Sequence, residues 1–78
     1  MNQNQEIAYW AKVKHSKEYF NAESREELKA VEKKIEAEEW APVELIEQNH
    51  RTSLVRILKG DREGFREIVP NQFLVSEQ

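Results

Sequence analysis

The chain has no cysteine, one methionine, two glycines and two prolines in 78 residues. Without thiols it can form neither disulfides nor thiolate metal sites, which excludes the small secreted scaffolds stapled by cross-links. A reducing, cytoplasmic setting is the expectation. No apolar run approaches the roughly 20 residues that a membrane-spanning helix needs, so no membrane role is expected and the chain reads as soluble. The start is polar and carries no basic segment followed by an apolar stretch, so neither a signal nor a transit peptide is expected there. Residues 1–5 read as a disordered tail. Repeats, low-complexity tracts and linkers are also missing, and a chain this short supports one core, so residues 1–78 form a single expected domain.

Two further scarcities bear on chemistry. The only histidines, His15 and His50, stand far apart, so the spacing that a His-based metal site requires is missing. Gly60 and Gly64 are not followed by Lys-Ser or Lys-Thr and a helix, so they do not make a phosphate-cradling loop and read as turn residues. No cofactor is implied. His50, Arg51, Arg56 and Arg66 come nearest to a catalytic set, on the pattern of a small ribonuclease toxin with a histidine base and phosphate-binding arginines. Scattered surface charge is the better reading of all four, and the chain is expected not to be an enzyme.

What is present is charge and aromatic mass. Hydrophobic residues make up 38% and charged residues 35%, and two Trp, three Phe and two Tyr supply enough apolar surface for a folded core. The net charge of −3 is uneven, because residues 23–39 alone carry −3 whereas residues 1–22 and 51–78 each carry +1.

Ser24, Arg25, Glu26 and Glu27 form a capping box that starts a helix, and Leu28, Val31 and Ile35 give it one apolar stripe. That helix is expected over residues 24–39, although Glu36, Glu38 and Glu39 oppose the negative end of its dipole and should fray it. Pro42 forbids continuation and biases Ala41 to an extended backbone. Imperfect alternation over residues 6–15 reads as a strand with Ile7, Tyr9, Ala11 and Val13 on one face and Trp10, Lys12 and Lys14 on the other. Alternation does not say which face is inside. Residues 18–22 read as a second short strand, residues 43–48 and 52–59 as a strand pair, residues 65–69 as a return strand after the glycine loop, and residues 73–75 as a short edge strand. The expected fold is α+β, with one helix on a mostly antiparallel sheet of four to five strands in the order β-β-α-β-β-β. The alternative is a β-β-α-β unit with an SH3-like C-terminal hairpin.

Three surfaces qualify as binding candidates. Trp10 with Lys12 and Lys14 could stack a base and meet phosphates, or serve as a protein hot spot. The basic C-terminal hairpin offers Arg51, Arg56, Lys59, Arg62 and Arg66, interleaved with Asp61, Glu63 and Glu67. The acidic end of the helix offers Glu36, Glu38 and Glu39, with Trp40 beside it.

The runs Tyr9 to Val13, Ala22 to Leu28 and Trp40 to Glu44 together resemble the small bacteriophage proteins that bind and inhibit host RNA polymerase. The likeness covers the first half of the chain, and the hairpin after His50 has no counterpart in it. It implies a regulatory protein-binding role and assigns no functional residue. The resulting expectation is a small non-enzymatic protein-binding or regulatory module, an inhibitor or adaptor, acting as a monomer or weak homo-oligomer. The alternative is an RNA- or DNA-binding module that uses Trp10, Lys12, Lys14 and the basic hairpin.

Overall fold

Alternating burial along the strands shows how this sequence assembles. A computed structural model describes residues 8–77. The expected tail over residues 1–5, and Glu6 and Ile7 of the expected first strand, lie outside the described residues. The elements are β1 (Tyr9–Ala11), α1 (Ser16–Asn21), α2 (Arg25–Glu36), β2 (Ala41–Gln48), β3 (Thr52–Ile57), β4 (Arg66–Pro70), a 3₁₀ turn (Asn71–Phe73) and β5 (Leu74–Ser76). The strands form one open antiparallel sheet in the order β4-β3-β2-β1-β5. The fold is α+β as expected, and the C-terminal strands continue this sheet instead of curling into an SH3-like barrel.

One face of the sheet is inside. Register aligns Ala11 with Ala41, Tyr9 with Val43, Val43 with Ile57, Val55 with Glu67 and Ser53 with Val69. Every buried strand residue except Pro70 belongs to this set, and Ala11, Val43, Val55, Ile57 and Val69 join Val13 in the main core. Val31 and Ile35 of α2 close a second cluster with Phe73, against which Tyr19 of α1 packs. The helices therefore cover the Ala11 face, and Trp10 points to the other side.

The cap of α2 is built as its sequence requires. Ser24 Oγ accepts from the Glu27 N–H at 3.0 Å, and the Glu27 carboxylate accepts from the Glu23 N–H at 2.8 Å. The helix stops at Glu36, short of the expected Glu39. Pro42 lies inside β2, near its start, where it can still offer its carbonyl to the Leu58 N–H at 3.0 Å. Both glycines adopt positive φ, 99° at Gly60 and 90° at Gly64, in the β3–β4 loop where such backbone is needed. Asn71 fastens the opposite end of the sheet: its Nδ2 donates to the carbonyls of Asn49 and His50, each at 3.0 Å, while its Oδ1 accepts from Ser53 Oγ at 2.6 Å.

The expected second strand, residues 18–22, is instead helical through Asn21, with Ala22 as the extended C-cap, so the order runs β-α-α-β-β-β-β. The cause is a residue remote in sequence. Glu38, its side chain only 5% exposed, accepts from the N–H groups of Lys14 at 3.0 Å and His15 at 3.1 Å, and faces His15 Nδ1 at 2.7 Å. The carboxylate thus meets donors that lead into α1, whose own N-cap residue makes no side-chain cap bond. Helical geometry then turns Tyr19 toward Phe73, with rings edge-on at 6.2 Å, and leaves Phe20 45% exposed.

Removing a buried, triply bonded carboxylate leaves its donors unsatisfied. Glu38→Ala should therefore lower unfolding stability by about 2 kcal/mol, while Glu39→Ala next to it should stay within about 0.5 kcal/mol of the parent. Urea denaturation followed by circular dichroism checks both.

Candidate interaction surface

The face that the helices leave uncovered carries an ordered pattern. Trp10 on β1 is flanked in register by Pro42 of β2 and Val75 of β5, and Leu58 extends the row through its bond to the Pro42 carbonyl. The row is apolar across four strands or their immediate extensions. Val75 is 42% exposed, and Trp10, Pro42 and Leu58 are half-buried. The next row runs through Glu44, Arg56 and Arg66, and beyond it Leu54 pairs with Ile68, which is 52% exposed. Apolar contact area thus frames a charged row.

Among the charges singled out in the sequence, Lys12, Glu38, Arg56 and Arg62 are already engaged. Arg56 is bound to Glu44 at 2.5 Å, with both side chains about half exposed, so this pair adds little stability but neutralises the centre of the face. Arg62 is bound to Glu67 at 2.6 Å and lies over the Phe65 ring at 5.6 Å. Lys12 donates to the Glu36 carbonyl at 2.8 Å, satisfying one of the open carbonyls at the end of α2, and its ammonium sits 4.6 Å above the Trp40 ring. Trp10 donates its indole N–H to the Glu77 carboxylate. The expected stripe of Trp10, Lys12 and Lys14 is not brought together as one patch: Lys12 turns to α2, and the Lys14 backbone is held by Glu38.

The acidic helix end divides in the same way. Glu38 is a structural group, whereas Glu36 and Glu39 are exposed. Glu39 lines an open groove of about 640 Å³ that also takes in Lys14, Lys59 and Asp61, a mixture of both signs over a floor containing Val13 and Ile57. Trp40 is 41% exposed beside it and so does not close the core. Arg66 is exposed and has no ion-pair partner among the described residues. His50 and Arg51 sit in the β2–β3 turn, and Arg51 is five positions along an extended strand from Arg56, or roughly 17 Å at the usual rise per residue. The four-residue basic set therefore does not converge. Among the described residues, no group of three or more His, Asp or Glu side chains is arranged to hold a metal ion, and no helix is long and apolar enough to cross a membrane.

Sequence reasoning missed Val75, Pro42 and Leu58 as neighbours of Trp10, and missed the exposed Phe20, Phe65 and Ile68. The signal for the first group lies in strand register, because only the insertion of β1 between β2 and β5 makes these residues adjacent. Comparison with protein-family models, curated proteins and solved structures finds no match, so the likeness to polymerase-inhibiting phage proteins carries no argument further.

The two tryptophans should be distinguishable in solution. In variants keeping one each, Trp40 should be quenched by iodide more steeply than Trp10, because it is the more exposed and has the Lys12 cation over its ring. Stern–Volmer slopes for Trp10→Phe and Trp40→Phe measure this directly.

Proposed function

We propose that the chain is a small non-enzymatic binding module that engages an apolar patch of a partner protein with the uncovered face of its sheet. The observation that carries this reading is the row of Val75, Trp10, Pro42 and Leu58, a continuous apolar strip centred on a tryptophan. Tryptophan-centred apolar clusters contribute disproportionately to protein interfaces, and large apolar groups left on a small domain mark contact surfaces. Charge favours a protein over a nucleic acid here. Glu44 cancels Arg56 within the face and Glu67 cancels Arg62 beside it, leaving few cations to neutralise a phosphate backbone.

In this reading the helices and the acidic end of α2 support the sheet, and the module acts by occupying or adapting a partner in a regulatory role. Val75→Lys, on the exposed face of an edge strand, should weaken binding of the captured partner at least tenfold without unfolding the chain. Lys59→Glu, at a position that lines the groove beside Val13 and Ile57 and not the row, should leave it unchanged. Affinity capture followed by titration of the captured protein measures both, and short RNA and DNA are titrated in parallel at two salt concentrations. Nucleic-acid binding that weakens as salt rises, together with insensitivity to Val75→Lys, would replace this reading with the nucleic-acid one.

A further inference from the structure

The open sheet has two edges, and they differ. β5 has three residues, whereas β4 has five and presents a regular row of main-chain groups. The Ile57 N–H donates to the Phe65 carbonyl at 2.9 Å and the Asn71 N–H to the Arg51 carbonyl at 2.8 Å. Antiparallel pairing alternates along a strand, so Glu67 and Val69 bond to β3 while Arg66, Ile68 and Pro70 turn their main-chain groups outward. Pro70 fits this assignment, since it has no N–H to leave unpaired. Arg66 and Ile68 each offer an amide and a carbonyl to an added strand.

A groove of about 270 Å³ separates this edge from α1. Phe20 from α1 and Ile68 from β4 line it, 45% and 52% exposed, and Lys17 and Arg66 supply two exposed cations with no ion-pair partner among the described residues. Glu67 also lines the groove, but its nearly buried carboxylate is held by Arg62 at 2.6 Å. Natural edge strands are normally blunted by charge, proline or cover. Here the charge is of one sign and sits beside uncovered apolar groups, an arrangement that suits an incoming segment of opposite charge.

We propose that β4 accepts an extended segment of a partner protein as an added strand, and that this segment carries an apolar pair flanked by acidic residues. Main-chain bonds to Arg66 and Ile68 would hold it, one apolar side chain would meet Ile68 and the next Phe20, and the flanking carboxylates would meet Arg66 and Lys17. A second copy of the chain is the poorer occupant, because it would bring another Arg66 and Lys17 to the same seam, where like charges repel. Strand addition shares with the proposed function the class of partner, and it uses the β4 edge, whose Arg66 and Ile68 side chains border the uncovered face, in place of the Trp10 row.

The test titrates the full chain with a fluorescent hexapeptide of two central valines flanked on each side by two glutamates, and with its counterpart carrying lysines. The acidic peptide should bind at least tenfold tighter, and the combined Lys17→Glu and Arg66→Glu changes should reverse that preference. Ile68→Pro removes an outward N–H without breaking the β3 ladder and should weaken binding at least tenfold, whereas Val75→Lys should have no effect. Circular dichroism verifies folding, and if Ile68→Pro fails to fold, the charge reversals at two exposed side chains decide the matter. Equal binding of the two peptides, binding of neither, or parental affinity in a folded Ile68→Pro variant overturns the proposal. Self-association through β4, seen by sedimentation and abolished by Ile68→Pro, also overturns it by giving the edge to a second copy. Loss of peptide binding in Val75→Lys alone would move the peptide to the uncovered face, ending this inference while leaving the proposed function intact. Peptide binding as expected, with partner capture insensitive to Val75→Lys, would do the reverse.

Discussion

Cover is the scarce resource in this molecule. Helices of six and twelve residues shield one face of a five-stranded sheet, and residues 8–77 supply no second layer for the other. Burying Ala11, Val43, Val55, Ile57 and Val69 on the shielded side fixes the register, since a slip of one residue would exchange that set for Trp10, Glu44, Leu54, Arg56 and Ile68. The uncovered face is therefore a direct consequence of how the core is built. Glu38 has a part in this that its position in the sequence does not suggest. By meeting the backbone that leads into α1, it sets that helix over the sheet and ties the exit of α2 to the exit of β1.

The same economy governs the charges. Lys12 meets the end of α2, Arg56 meets Glu44, and Arg62 meets Glu67, so side chains that look like a basic surface in one dimension act as internal fastenings in three. The strip around Trp10 and the exposed Ile68 and Phe20 stay uncovered, and beside the β4 edge Lys17 and Arg66 have no ion-pair partner among the described residues.

The legible parts of the sequence were those controlled by local chemistry. Ser24 and Glu27 mark the start of α2 through bonds that span three or four residues, and Val31 and Ile35 fall on its buried side through helical period alone. Gly60 and Gly64 mark a loop because the backbone there needs positive φ. Illegible parts were set by distant partners. Tyr19 and Phe20 suit a strand by composition, and it is Glu38, far along the chain, that favours a helix for them. Alternation over β1 was visible, but its buried side was decided by which face α1 and α2 cover. The strip around Trp10 depended on β1 entering between β2 and β5, a topological fact that no local pattern encodes.

Amide hydrogen exchange of the free chain, followed residue by residue by NMR, tests most directly whether the sheet is open where the structure leaves it open. Slow exchange is expected at Glu67 and Val69, whose N–H groups bond to β3, and fast exchange at Arg66 and Ile68, whose N–H groups face outward. Protection at Arg66 and Ile68 equal to that of their neighbours would contradict this, because the β4 edge would then already be paired.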